Sequence, residues 1–434
     1  MAIAPPSRST ALSPEASSTT SYAGPLAVVT TLFFMWGFLT CLNDILVPHL
    51  KSIFDLGYAQ VMLIQFAFFG AYFIFSIPSA KVVDWIGYQR SMVAGLLVMG
   101  AGAFLFVPAA MAPSFPLFLM ALIVLAAGIT CLQVAANPYV TVLGKPQTAS
   151  SRLNLTQAFN SLGTFLAPFF GGLLILSSAP KAIDEIRAMA PSALQAYRLH
   201  EAATVKTPYV GLGIALVVLA AAIGSFKLPK IPQAAHAVGE KVNDSIWRHK
   251  NLIFGAIGIF VYVGAEVSIG SFLVNYFTQP EIGGLTEKAA ASFVAFYWGG
   301  AMVGRFIGSG LLQKMNTGKL LGICAVCAAA LVAISMLTTG HFAMYSIILV
   351  GFFNSIMFPS IFTLGVAELG PLTGDGSGVM IMAIVGGAIL PLAQGAIADR
   401  IGIHHAFFLP VICYLYILFF ALSGSKPNSQ RHAR

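Results

Sequence analysis

Charge is what this chain has least of. Only 9% of its 434 residues are Asp, Glu, Lys or Arg, against 58% hydrophobic ones and a mean hydropathy of +0.85. A soluble domain carries about 25% charged residues, so this polypeptide cannot cover itself with polar surface in water. Cysteine chemistry is equally thin. Cys41, Cys131, Cys324, Cys327 and Cys413 all lie inside apolar runs, and the CxxC of Cys324 and Cys327 has no partner His or second pair, so it reads as packing. Histidines fall in loops or tails (His200, His236, His249, His432) or near segment ends (His49, His341, His404, His405). None has metal-ligand spacing within an apolar run. No nucleophile with its base and no paired carboxylates stand there either, which argues against an enzyme and against a cofactor other than a transported ion. The net charge of +8 is scattered between apolar segments rather than gathered in a patch, so it does not point to nucleic acid.

Long apolar runs are abundant. Twelve follow one another, at about 25–47, 58–80, 91–111, 115–143, 153–177, 207–227, 251–278, 289–312, 318–338, 342–367, 376–398 and 405–423. Each is long enough for the roughly 20 residues a membrane helix needs. The expected fold is an all-α membrane protein of twelve transmembrane helices in two six-helix bundles related by a pseudo-two-fold axis. Its divisions are a disordered cytoplasmic tail (1–24), an N-terminal bundle (25–227), a basic cytoplasmic linker (228–250), a C-terminal bundle (251–423) and a second tail (424–434). The first tail is rich in Ser, Thr, Ala and Pro and lacks the apolar core of a signal peptide. Residues 178–206 form a polar, amphipathic connection.

Positive charge sets the orientation. Only Lys51, Lys181, Arg187, Arg198, Lys206, Lys288 and Arg400 fall on one side of the twelve segments. Every other Lys and Arg falls on the side shared by the termini, the linker and loops 81–90, 144–152, 304–319 and 368–375. The positive-inside rule makes that side cytoplasmic. The expected location is the inner (plasma) membrane, multi-pass, with both termini inside the cell.

Polar residues within the spans carry the chemistry. Asp44, beside Asn43, ends the first span, and Glu266 stands near the middle of the seventh. A charge at the bilayer centre costs roughly 2.5–3.5 kcal/mol on insertion scales, so such residues usually serve a function. No Lys or Arg in sequence obviously pairs with Glu266, which makes it a candidate for reversible proton binding, because burial penalises the charged form. Helical spacing then gathers polar side chains on single faces. Trp36, Thr40 and Asp44 share one face, as do Thr130, Gln133, Asn137 and Thr141. Gln157, Asn160 and Thr164 form a third, Tyr262 and Glu266 a fourth, and the tenth span adds Asn354. Amides both donate and accept, and an aromatic face covers the C–H side of a sugar ring. An uncharged, hydroxyl-rich solute fits such a lining. Asp84-Trp-Ile-Gly87-Tyr-Gln-Arg90 after the second span, and Gly304-Arg305-Phe-Ile-Gly308 after the eighth, read as equivalent tight charged loops that break and re-form with conformation. Gly374-Asp-Gly-Ser-Gly378 reads as a flexible loop.

These features, with Leu42-Asn43-Asp44-Ile45-Leu46, Ala135-Ala136-Asn137-Pro138-Tyr139, Leu155-Thr156-Gln157-Ala158-Phe159-Asn160 and Ser355-Ile356-Met357-Phe358-Pro359, resemble the major facilitator superfamily. Within it they resemble the fucose/galactose/glucose symporter family, its glucose/galactose branch above all. The likeness spans residues 25–423. It implies sugar uptake coupled to an ion by alternating access. The fucose permeases of that family use an Asp in the first helix and a Glu in the fourth. Asp44 matches the former, Gln133 replaces the latter, and Glu266 stands where those permeases carry an amide. Ala80 departs from the superfamily's usual Gly.

The resemblance therefore implies that the coupling carboxylate has crossed the cavity. Asp44 and Glu266 are expected to handle the ion, H⁺ or Na⁺. Trp36, Asn43, Gln133, Asn137, Gln157, Asn160, Tyr262 and Asn354 are expected to bind a small neutral hexose, and Asp84, Gly87, Arg90 and Arg305 to form the conformational loops. The protein is expected to work in the bilayer as a monomer. Another sugar of the same family is the nearest alternative substrate. A proton-coupled drug antiporter on the same fold would favour a more aromatic cavity, and a transport-dead sensor would need a soluble signalling domain.

Overall fold

A computed structural model of the chain describes residues 22–54, 58–111, 114–174, 189–229 and 245–427. Side chains at 39–40, 42–54, 58–63, 65, 168–174, 198 and 201–205 also lie outside the description. Most of the two tails, the linker between 230 and 244, and the side chains of Thr40, Asn43 and Asp44 therefore fall outside it.

Among the described residues there are helices and no strand. In order these are α1 (Ala23–Phe54), α2 (Tyr58–Ile86), α3 (Tyr88–Met111), α4 (Phe115–Val142), α5 (Ala149–Leu174) and α6 (Pro191–Ser225). They continue with α7 (Lys250–Phe277), α8 (Glu287–Lys314) and α9 (Thr317–Leu337), then α10 (Gly340–Gly365), α11 (Gly370–Ile401) and α12 (Ile403–Gly424). Ten are long and apolar enough to cross a membrane, and the apolar part of α1 at Ala23–Phe38 is a shorter one. In hydrocarbon a segment must satisfy its own backbone, and a helix does so internally.

The two halves repeat one packing scheme. In the first, α1 packs on α5, α2 and α3 on α4, and α3 on α6. In the second, α7 packs on α11, α8 and α9 on α10, and α9 on α12. Between the halves α2 meets α11 and α5 meets α8, two contacts that the same pseudo-two-fold operation exchanges.

Small residues let these backbones approach. A Cβ on Gly37 of α1 would lie 2.0 Å from the Asn160 carbonyl oxygen of α5. At the equivalent α7–α11 contact, a Cβ on Gly386 would lie 2.0 Å from the Phe260 carbonyl. Backbone cannot yield as a side-chain tip can. Gly37→Val is therefore expected to separate α1 from α5 at a cost of about 1–3 kcal/mol, read as a lower Tm of the purified protein together with loss of transport.

Three sequence expectations change here. Gly374–Gly378 is helical, within Thr373–Met382 of α11, because its glycines allow close approach to α2: a Cβ on Gly378 would lie 2.9 Å from Ala80 Cβ. Arg305 is not in a loop but inside α8, which runs on to Lys314. The tenth span is interrupted between Asn354 and Met357. Only Gly87, at φ +80°, stands between α2 and α3, with Asp84 in the last turn of α2 and Arg90 in the first turn of α3.

Candidate functional site

A cavity of about 220 Å³ opens between the halves. Its N-terminal wall combines Trp36 and Gly37 of α1, Phe68, Phe69 and Tyr72 of α2, Gln133 of α4, and Gln157, Asn160 and Thr164 of α5. Its C-terminal wall consists of Glu266 of α7, Arg305 of α8, Phe358 and Pro359 of α10, and Ile384 of α11. Trp36, Gln133, Gln157, Asn160 and Glu266 are thus brought together around one space. Aromatics and amides share the N-terminal wall of a space sized for a small solute.

The amides are held with groups to spare. Gln133 donates through Nε2 to the Tyr72 hydroxyl at 2.8 Å, and the Trp36 side chain bonds that same hydroxyl. Gln133 Oε1 and Gln157 Nε2 have no partner. Asn160 Nδ2 donates to the Phe33 carbonyl at 2.9 Å, which fixes α5 against α1 and sets the amide plane. A buried acceptor and a buried donor without partners suit a ligand that brings both, as a hydroxyl does.

Glu266 has company that its own helix does not reveal. Arg305 Nη2 lies 3.9 Å from Glu266 Oε1, the two side chains being 15% and 13% exposed. The expectation of a carboxylate without a nearby cation is therefore corrected. Helix packing, not sequence proximity, supplies the partner. The same guanidinium donates from Nε to the Ser355 carbonyl at 3.3 Å, at the interruption of α10, and from Nη1 to the Ser161 hydroxyl of α5. Arg305 thus touches the carboxylate, the broken helix and the opposite half at once. At an effective dielectric of about 20 the pair attracts by roughly 4 kcal/mol before desolvation is subtracted.

Two expected ligand contacts sit behind the wall instead. The Tyr262 hydroxyl donates to Glu266 Oε1 at 2.8 Å and to the Asn354 carbonyl at 3.0 Å. Asn354 is fully buried. Its Oδ1 accepts from the Tyr414 hydroxyl at 2.8 Å and its Nδ2 donates to the Tyr297 hydroxyl at 2.9 Å. Asn354 therefore spends its side-chain amide on two tyrosines and its carbonyl on a third, anchors the break in α10, and does not line the cavity. Asn137, one helical turn beyond Gln133, is also fully buried and off the cavity wall, with both amide atoms unpartnered. Replacing an unpartnered buried amide by an apolar group of similar size is neutral or stabilising. Asn137→Leu is expected to keep or raise the Tm without weakening solute binding, and a weakened Kd would restore Asn137 to the binding set.

Below the cavity the halves are stitched along one face. Ser150 meets Thr363 at 2.6 Å, Ser151 donates to the Ser309 carbonyl at 2.7 Å, and Asn154 donates to the Arg305 carbonyl at 2.6 Å. Ser377 donates to the Val134 carbonyl at 3.0 Å. Asp84 lies at the first turn of Thr373–Met382, where a Cβ on Gly374 would come 2.6 Å from Asp84 Oδ1. A carboxylate is favoured beside a helix N-terminus. Such neutral bonds are worth only about 1 kcal/mol each net, so the seam can exchange them for water and open. Arg90 is exposed in the first turn of α3, while Gln89 beside it ties that turn to the Ile223 and Phe226 carbonyls at the end of α6.

Sequence reasoning missed Phe68, Phe69 and Tyr72 as cavity residues, since aromatics at helical spacing look the same whether they face lipid or solute. It did note the Arg305 motif, but as a loop.

Two pseudo-symmetric six-helix halves around a cavity lined by aromatics and amides, with a polar seam on one face, define a membrane transporter. The chain belongs to the Major Facilitator Superfamily, whose family model matches residues 27–384. It is 54% identical over 412 residues to a glucose/galactose transporter of Brucella abortus, covering 95% of this chain and 97% of that one. It is 36% identical over 427 residues to the L-fucose-proton symporter of Escherichia coli, covering 96% of each. Its backbone is similar to the crystal structure of FucP, a superfamily transporter in the outward conformation. There the TM-score is 0.85 at 35% identity, over 93% of this chain and 99% of that one.

Proposed function

We propose that this protein imports a neutral hexose, glucose or galactose, by cation-coupled symport. The observation that carries the proposal is the division of labour across the cavity. Partly unpartnered amides and aromatic faces form one wall, and an ion-paired carboxylate, Glu266, forms part of the other. Hydroxyls satisfy the amides, and the aromatic faces take the apolar side of the ring. The Arg305 guanidinium neutralises Glu266, so the described wall offers no net charge to select an anion. The names of the similar transporters support the same substrate class.

In this reading the positively charged face is cytoplasmic, so the seam of Ser150, Ser151, Asn154 and Ser377 is the closed inner gate and the state is outward-facing. Sugar and cation enter from outside. The cation, H⁺ or Na⁺, acts at Glu266 and Asp44. Once Glu266 is neutralised it holds Arg305 less strongly, and Arg305 contacts both the α10 break and α5, so the ion site and the gate share one side chain. The halves then rock about the central site, as in other repeat-built transporters. No cofactor or second subunit is invoked, and the bilayer is the inner membrane.

Counterflow in proteoliposomes with a panel of radiolabelled hexoses, with and without Na⁺ and at two pH values, tests the proposal. Glucose or galactose is expected to exchange fastest, and accumulation is expected to follow one cation gradient. Failure of every hexose to exchange would overturn it.

A further inference from the structure

A second cavity, larger than the one between the halves, lies elsewhere in the C-terminal half. It is a groove of about 700 Å³ between α9 and α12, with Leu364 of α10 contributing to its walls. Its sides are Gly322, Ile323 and Val326 of α9 and Leu418, Ala421 and Leu422 of α12. Ile323, Val326 and Leu422 are 43%, 49% and 58% exposed, so the groove opens sideways, toward the hydrocarbon that surrounds a membrane span. Its polar lining gathers at one end. Lys319 opens α9, Glu368 follows α10, and Ser425 and Lys426 follow α12. These are span ends, at the depth of lipid headgroups.

The groove runs beside an irregular stretch of α12. Near its end α12 leaves the α-helix for a π-helical turn, Phe420–Gly424, in which Ser425 N donates to the Phe420 carbonyl at 2.8 Å. Such turns are rare and frequent at functional sites. The two helices touch closely at Gly318, where a Cβ would lie 2.9 Å from the Ala421 carbonyl.

We propose that this groove is a binding site for an anionic phospholipid of the same leaflet, acyl chain along α9 and α12 and phosphate at Lys319. The lining has the polarity of an amphiphile: apolar along the span, ionic at its end. Lys319, Lys426 and Glu368 sum to one positive charge, the complement of a single phosphodiester. Basic pockets between membrane helices hold anionic headgroups for this reason. A sugar would find no amide pair here. The chain's own last residues, Asn428-Ser-Gln-Arg-His-Ala-Arg434, offer only Ala433 to an apolar groove and would crowd its lysines with Arg431 and Arg434.

Native mass spectrometry of the purified full-length protein with equimolar phosphatidylglycerol and phosphatidylcholine tests the assignment, with counterflow activity as the folding control. Wild-type protein is expected to retain one phosphatidylglycerol in preference to phosphatidylcholine. Lys319→Gln is expected to lower that preference roughly fivefold. Ile323→Trp, which fills the groove from its exposed side, is expected to remove the retained lipid while transport continues. Equal retention of the two lipids by wild type, or a preference unchanged in both variants, would overturn the proposal. So would increased lipid retention after truncation at Pro427, because the tail would then be the occupant. None of these outcomes depends on which sugar is carried.

Discussion

Glu266→Gln abolishes gradient-driven accumulation in proteoliposomes and leaves sugar exchange running: this is the expected result of removing the coupling group alone. Gln has the shape of Glu and can still accept from Tyr262, so the wall keeps its form. It cannot bind a proton or balance a cation. Exchange at equal sugar concentrations needs the cavity and the rocking motion but no ion gradient, and it should persist. Accumulation ratios should fall to about one, the value for an uncoupled carrier, since a gradient shifts an equilibrium only through differential binding of its ion. One complication follows from the ion pair. The variant leaves the Arg305 charge without its anion, and stranding one partner of a buried pair costs about 3–5 kcal/mol. Arg305 borders the cavity and keeps its bonds to Ser161 and the Ser355 carbonyl, so the cost should fall below that range. A Glu266→Gln/Arg305→Gln double variant separates the two effects: it should recover thermal stability but not accumulation. Normal accumulation by the single variant would sink the assignment of Glu266.

Gln133→Ala is expected to do the reverse, weakening sugar binding while residual transport still follows the gradient. In the fucose permeases that the chain resembles this position holds a carboxylate, and here it holds an amide that cannot carry a proton. The structure supports a binding role through the unpartnered Oε1, which is aimed at no protein donor while Nε2 is fixed on Tyr72. Removing the side chain deletes one acceptor for a sugar hydroxyl and strands the Tyr72–Trp36 arrangement that sets the aromatic wall. A loss of about 1–3 kcal/mol corresponds to roughly a fivefold to 150-fold rise in Kd. Equilibrium binding of the sugar from the outward side, beside accumulation measured at saturating sugar, reads the two parameters apart. Unchanged affinity would remove Gln133 from the binding set.

Much of this molecule is legible along the chain. The spans, the two six-helix halves and the polar stripes of α4, α5 and α7 follow from hydropathy and helical period, because lipid tolerates few polar groups without cause. Trp36, Gln133, Gln157, Asn160 and Glu266 stand out for that reason. Asn354 marks the limit. As a polar residue at the equivalent place in the tenth span it reads as a ligand, yet Tyr297 and Tyr414 come from α8 and α12 to satisfy it. No periodicity within α10 announces them.

Arg305 shows the same limit from the other side. Sequence alone determined that this chain spans a membrane, that it divides in two, and which residues of each helix share a face, since those properties belong to single segments. Only the tertiary structure decided which faces meet. It set the Arg305 guanidinium beside Glu266, closed one side with Ser150, Ser151, Asn154 and Ser377, and left Asn137 buried without a partner. The period of a helix orients a side chain about its own axis, whereas what that side chain meets depends on packing between segments far apart in the chain.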